Sequence, residues 1–297
     1  MTDKTGRKHR RYDPGVLRTA CLCAAFVLFG AQLQAATPQR IVSLAPAMTE
    51  ILFALDLGEQ VVGVTSFCDR PQKALSRTRV GGMSNPSLEA ILALKPDLVV
   101  LSMDGNPREV AQRLERLGVK IHVFTARRME DIPQGIRDLG KDLQAPTAAE
   151  RLAQNLEKTI LRHAQVAETV PAADRKRALF VIWPEPLIVA GTDTLVDDAL
   201  TLLGFDNIAA GTGVSYPRFS VEEVLRRKPE VIIFGQGQGA MATLAEGLMQ
   251  RLGSLGAIQE DRLIFVDDAL YRAGPRIAEG IADLSHALNE RREHAPP

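Results

Sequence analysis

Short apolar runs alternate with amphipathic stretches along most of the chain. The segments at 40–44 (RIVSL), 61–65 (VVGVT), 98–101 (LVVL) and 120–124 (KIHVF) are brief and rich in Val, Ile and Leu, as are 178–182 (ALFVI), 231–234 (VIIF) and 263–266 (LIFV). Their length and β-branched content predict strands, and the all-apolar members suit strands covered on both faces of a parallel sheet. Between them, 49–57, 107–117, 194–203 and 244–252 predict helices. Strands alternating with helices indicate α/β units with parallel sheets. The expected fold is two similar α/β lobes, roughly 38–143 and 175–292.

The same phrase occurs in each lobe. Residues 87–100 read SLEAILALKPDLVV, and 220–233, offset by 133, read SVEEVLRRKPEVII. Each predicts a helix followed by a buried strand. Ser87 and Ser220 are expected N-caps, whose hydroxyls accept an otherwise orphaned amide proton, and Ser220 with Glu223 fits a capping box. Lys-Pro is expected to stop each helix, since proline lacks the donor that a helix needs. Glu89 and Glu222 fall at the second helical position of each copy. Favourable interaction with the helix dipole, about 0.3–1 kcal/mol, accounts for either alone. As a matched pair on two lobes they also offer two-point contact to a partner's arginines.

Between the lobes, 147–170 runs without Gly or Pro and carries Leu152, Leu156 and Ile160 at helical spacing, with Pro146 before it and Pro171 after it. At 1.5 Å per residue this helix spans about 35 Å. Two lobes joined by one long stiff helix form a cleft that hinges little.

The first 36 residues differ from the rest. The basic residues Arg7, Lys8, Arg10, Arg11 and Arg18 precede a short apolar core at 20–31 and small residues ending at Ala35 and Ala36. That order reads as a secretory signal, and the core is shorter than the ~20 residues of a membrane span. An uncleaved anchor, or lipidation at Cys21 or Cys23, is the alternative. The expected division is a signal over 1–36, an N-terminal lobe over 37–145, a connecting helix over 146–171 and a C-terminal lobe over 172–297. The whole chain has 36 basic and 36 acidic residues; without the leader 30 and 34 remain, a net charge of −4. Acidity argues against nucleic acid. Cys68 is then the only cysteine, so no internal disulfide forms.

Candidate chemistry is sparse. Residues 235–240 (GQGQGA) follow a strand and fit a dinucleotide fingerprint, but the next strand's acidic residue, Asp267, lies too far along, and a flexible loop at the cleft edge is the better reading. The histidines, His9, His122, His163, His286 and His294, are scattered, without the spacing of a metal site. No G-x-S-x-G elbow is present. Phe67, Trp183, Tyr216 and Tyr271 fall at or near strand ends, with Phe219 just before the second capped helix. Ligands of open α/β sheets sit at the carboxyl ends of strands, so the four predict an aromatic pocket between lobes, suited to a large planar ligand; Phe219 is set apart from it.

The runs 41–71 (IVSLAPAMTEILFALDLGEQVVGVTSFCDRP), 80–100, 187–209, 216–233 and 271–281 (YRAGPRIAEGI) resemble periplasmic binding proteins of ABC importers, in the helical-backbone class for cobalamin, haem and iron-siderophores. The similarity covers nearly the whole chain after the leader and is greatest to the cobalamin binders. It implies a non-catalytic monomeric carrier in the periplasm, with no cofactor and no metal of its own, that holds a corrinoid between its lobes. Glu89 and Glu222 match docking acids that meet permease arginines. Phe67, Trp183 and Tyr216 match cleft-wall aromatics, and Asp268 a polar contact, with Tyr271, Arg272 and Arg276 nearby in the motif. Met83 and Ser102 stand where cobalamin binders can carry tryptophan. Cys68 either touches the cobalt face or is a small buried residue, with the buried role favoured. A haem carrier would use Tyr216 or Tyr271 as axial ligand. A siderophore carrier would use converging arginines such as Arg218 and Arg272. An exported α/β enzyme is the third reading.

Overall fold

The computed structural model describes residues 37–235, 241–254 and 263–293, which belong to one compact unit. The N-terminal lobe is built on five parallel strands: β1 (Ile41–Ser43), β2 (Val61–Val64), β3 (Thr78–Arg79), β4 (Leu98–Ser102) and β5 (Ile121–Phe124). Their order is β3-β2-β1-β4-β5. Val42 pairs with Val99, and Val99 with Ile121. The connecting helices are α1 (Pro46–Ala54), α2 (Leu88–Ala93), α3 (Arg108–Arg116) and α4 (Ile132–Asp142). Strand order reverses between β1 and β4, and a crevice opens there at the carboxyl ends of the strands.

Helix α5 (Pro146–Glu168) is the connecting helix, 23 residues long. The C-terminal lobe follows with β6 (Lys176–Pro184), β7 (Leu187–Val189), α6 (Leu195–Leu202), β8 (Phe205–Asn207), α7 (Val221–Arg227), β9 (Val231–Gly235), α8 (Met241–Ser254), β10 (Leu263–Val266) and α9 (Ile277–Glu293). Strands β10, β9, β6 and β8 run parallel. Strand β7 instead turns back antiparallel on the far end of β6, a hairpin additional to the parallel sheet the sequence predicts. Only Gly235 of the GQGQGA run is described, as the last residue of β9; 236–240 lie outside the described residues.

The repeat is structural. Ser87 accepts the amide of Ala90, and Ser220 that of Glu223, so both are N-caps. The second half of the expected capping box does not form. The Glu223 carboxylate turns to Arg226 at 2.7 Å and to Arg227, holding its pKa well down at about 2. Each helix ends in the same way, with Lys95 at φ 47° and Lys228 at φ 49°. The lysine itself adopts the left-handed conformation of a helix C-terminus, and the following proline cannot resume the helix. Helix α1 begins three residues before the predicted start, because Pro46 occupies the first turn, where its missing amide costs nothing.

The lobes share one apolar core. Met48, Ile51 and Leu52 of α1, Ala149 and Ala153 of α5, and Phe180 and Ile277 of the second lobe belong to one buried cluster. Arg128 adds a polar tie, donating from Nε to both Asp198 oxygens at 2.7 and 2.9 Å.

Candidate functional site

Strand β1 leads into Ala45–Ala47, β2 into Phe67, β3 into Met83, and β4 into Ser102 and Asp104. All of these line one cavity of about 390 Å³. Its opposite wall comes from the second lobe: Asp268, Tyr271, Arg272 and Ala273, just after β10. A second space of about 230 Å³ continues from it past Asp104 and Tyr271 to Ile182, Thr194 and Tyr216. A third, of about 280 Å³, lies between Asp104, Arg127, Asp193 and Ser215, again against Tyr216. Together they form one cleft between the lobes, in the size range of small-molecule sites.

Local hydrogen bonds fix the walls. Arg79 donates to the carbonyls of Thr65 and Cys68 at 2.8 and 2.9 Å, closing the loop that presents Phe67, which is 53% exposed. Asn106, buried below the cavity, accepts the Ser102 amide at 2.8 Å and donates to the carbonyls of Leu44 and Met83 at 2.9 Å each. One side chain thus pins the ends of β1 and β4 and the Met83 segment. Gly105, at φ 113°, lets the chain turn beside Met83: a Cβ there would come within 2.5 Å of the Met83 methyl. Tyr271 lies against Gly235, where a Cβ would be 2.9 Å from its ring, and meets Phe180 edge-on at 6.0 Å.

A charged network closes one end. Glu50, buried on α1, accepts from Arg272 at 3.2 Å and Arg276 at 3.0 Å across the lobe boundary. Arg272 also pairs with Asp69 at 3.3 Å and with Asp268; Arg276 pairs with Asp267 at 3.0 Å and Asp268 at 2.9 Å. Burial pushes the Asp268 carboxyl up, against the pull of both arginines. At the other end Tyr216 donates to Asp104 at 3.4 Å. Burial, then the Asp104 charge, pushes the Tyr216 phenol up to about 12. Burial, then Asp268, does the same for Tyr271.

Of the residues singled out in the sequence, Phe67, Met83, Asp268, Tyr271 and Arg272 line the first space, and Tyr216 lines the second and third. Trp183 lines none of them. Its neighbour Ile182 faces the cleft, while the indole N–H is taken by the Glu185 carbonyl at 2.7 Å in the β6–β7 hairpin. Phe219 is buried in the C-terminal lobe, with Arg227 5.0 Å over its ring. Cys68 is fully buried, its sulfur 3.1 Å from the hydroxyls of both Thr49 and Thr65, which gives it a packing role. Arg218 is exposed, lines none of these spaces and does not converge with Arg272. Among the described residues no group of three or more His, Cys, Asp or Glu could hold a metal ion.

The family description "Periplasmic binding protein" matches residues 41–270. The chain belongs to that family. Proteins named vitamin B12-binding protein are among its relatives. One from Pectobacterium atrosepticum is 32% identical over 86% of this chain and 90% of its own length. One from Pectobacterium carotovorum is 33% identical over 88% and 92%. Among solved structures, the periplasmic vitamin B12 binding protein BtuF of Vibrio cholerae superposes with a TM-score of 0.75 at 27% identity, covering 87% of this chain and 99% of that one. The periplasmic haem-binding protein RhuT from Roseiflexus superposes with a TM-score of 0.75 at 28% identity, covering 85% and 98%.

As in a two-lobed binding protein, the two copies of the repeat stand at corresponding places. Helices α2 and α7 run back along their lobes before β4 and β9, so their first turns lie at the carboxyl edge of each sheet, the edge on which the cleft opens. Glu89 and Glu222 are exposed there, one per lobe. The Ser220 hydroxyl, then its own backbone amide, lowers the Glu222 carboxyl. Residues that sequence reasoning missed are Asp104, Asn106 and Glu50. Asp104 and Asn106 lie outside the runs that carry the resemblance, and Glu50 lies within 41–71 without a signal of its own; each acquires its place only when the sheet order is known.

Proposed function

We propose that this protein is the extracytoplasmic solute-binding component of an ABC importer that captures cobalamin or a related corrinoid in the interlobe cleft and delivers it to a membrane permease. The leader over 1–36 serves as its export signal, the carrier acts as a monomer without catalysis, and Glu89 and Glu222 dock it on the permease. The observation that carries the reading is the cleft itself. Apolar groups from both lobes, Phe67, Met83 and Tyr271, face one another across a space rimmed by hydrogen-bonding groups. A broad ring with a polar periphery suits such walls. The relatives named as vitamin B12-binding proteins support it over most of their length.

Two features weigh against the alternatives. An axial tyrosinate for haem would come from Tyr216 or Tyr271, and Tyr216 already donates to Asp104 at 3.4 Å. Arginines for an acidic siderophore do not converge, since Arg272 is bound by Glu50, Asp69 and Asp268. Calorimetric titration with cyanocobalamin, haemin and a ferric siderophore tests the reading. One-to-one binding of cyanocobalamin is expected; silence with it and tight binding of haemin would overturn the corrinoid assignment.

A further inference from the structure

The charges of the cleft are unevenly matched. Asp104, Asp193 and Asp268 line it against Arg127 and Arg272. Of these cations, Arg272 is already consumed by Glu50, Asp69 and Asp268. Arg276, behind it, is held by Glu50, Asp267 and Asp268. Arg127 is exposed at the far end and shares its space with two carboxylates, Asp104 and Asp193. A ligand entering the cleft therefore meets carboxylate acceptors and no uncompensated cluster of cations.

Asp104 holds the central place. It borders all three spaces, on the loop after β4, and its one hydrogen bond among those described is the long one from Tyr216, at 3.4 Å. Gly105 gives the loop its turn at φ 113°. A carboxylate so placed accepts from an N–H donor and repels another carboxylate, and like charges brought together in a binding site weaken binding.

We propose that Asp104 is a specificity-determining residue that reads the periphery of the ligand, selecting carboxamide-bearing rings and rejecting the same rings carrying carboxylates. This rests on the corrinoid reading above and adds to it the chemical class of the ring substituents that the cleft accepts. Selection against a wrong partner by an unfavourable charge contact is as effective as an added attraction.

The test uses cyanocobalamin and its separated monocarboxylate isomers, each with one peripheral amide hydrolysed, titrated into wild type and Asp104→Asn. In wild type at least one isomer is expected to bind about ten-fold or more weaker than the parent. In Asp104→Asn the ratio between parent and that isomer is expected to fall towards one, whatever happens to the affinity of the parent. Equal binding of every isomer by wild type, or an unchanged ratio in Asp104→Asn, overturns the proposal. Absence of binding by cyanocobalamin itself sinks the corrinoid reading instead. Haemin, with its two carboxylates, then decides: tight binding to wild type, unaffected by Asp104→Asn, overturns the proposal, and binding gained only in Asp104→Asn supports it.

Discussion

Replacing Glu50 with Gln perturbs the main polar junction between the lobes. The side chain is only 4% exposed and accepts from Arg276 at 3.0 Å and Arg272 at 3.2 Å. Two charge-assisted bonds of about 1.5–3 kcal/mol each set the scale. Stranding a buried charge would cost about 3–5 kcal/mol, but neither arginine is stranded here. Arg276 keeps Asp267 and Asp268, and Arg272 keeps Asp69 and Asp268. Glutamine also keeps one acceptor oxygen. Its new N–H₂ takes the place of the second Glu50 oxygen, Oε2, which is buried without a hydrogen-bond partner, so no existing bond is lost there. The balance is a loss of about 2–3 kcal/mol. At about 2–4 °C per kcal/mol for a chain of this size, thermal unfolding should shift down by roughly 4–12 °C. Calorimetry or circular dichroism on both proteins reads this directly. A melting temperature unchanged within about 1 °C would refute the reasoning, by showing that the acids around the two arginines replace Glu50 at no cost. A second readout separates local from global loss: Arg272 lines the cavity, so ligand affinity should change as well.

Other perturbations follow from the same geometry. Asn106→Ala removes three hydrogen bonds at the floor of the cleft and should cost about 2–4 kcal/mol in denaturant unfolding, with weaker ligand binding because Met83 and Ser102 lose their anchor; retained stability would mean the freed backbone groups find new partners. Glu89→Ala with Glu222→Ala should abolish permease-stimulated uptake while ligand affinity holds, both residues being exposed at the sheet edge; unchanged uptake would leave them as dipole-complementing helix residues. In a chain begun at Thr37, which contains Tyr216 and Tyr271 as its only tyrosines, tyrosinate absorbance should rise near pH 12, above the ordinary value of about 10. Since the unfolded chain releases these protons first, stability should be full below about pH 10 and fall as pH rises from there to about 12. Titration of both phenols at the ordinary value would show that the cleft walls and the Asp104 and Asp268 charges do not hold them neutral.

What the sequence announced and what it withheld divide along a physical line. Period and local chemistry are written residue by residue, so the parallel strands, the long connecting helix and the two serine caps were legible. So was the helix stop at Lys-Pro, though its cause lay one residue earlier, in the left-handed Lys95 and Lys228. Helix α4 carried a signal too, with Ile132, Ile136, Leu139 and Leu143 all buried at helical spacing, but Pro133 and Gly135 obscured it. Gly135 is tolerated because it lies against Phe124, 2.7 Å from where its Cβ would be. Strands β7 and β8, three residues each, are too short to show a period and exist because β6 offers them an edge. Trp183 illustrates the cost of that omission. Ending β6 at Ile182 leaves the indole at a strand end, where ligands sit; the hairpin extends the strand to Pro184, with an irregular register between Val181 and Trp183, so that Ile182 lines the cleft and the indole N–H meets the Glu185 carbonyl. Long-range placement was the other gap. Glu50 and Arg276 are 226 residues apart, and Asp104 and Tyr216 are 112 apart. Neither pair follows from spacing, yet each is a consequence of two sheets presenting their carboxyl ends to one another. The aromatic strand ends located the cleft from sequence, while the charges that grade it became visible only once the lobes were set face to face.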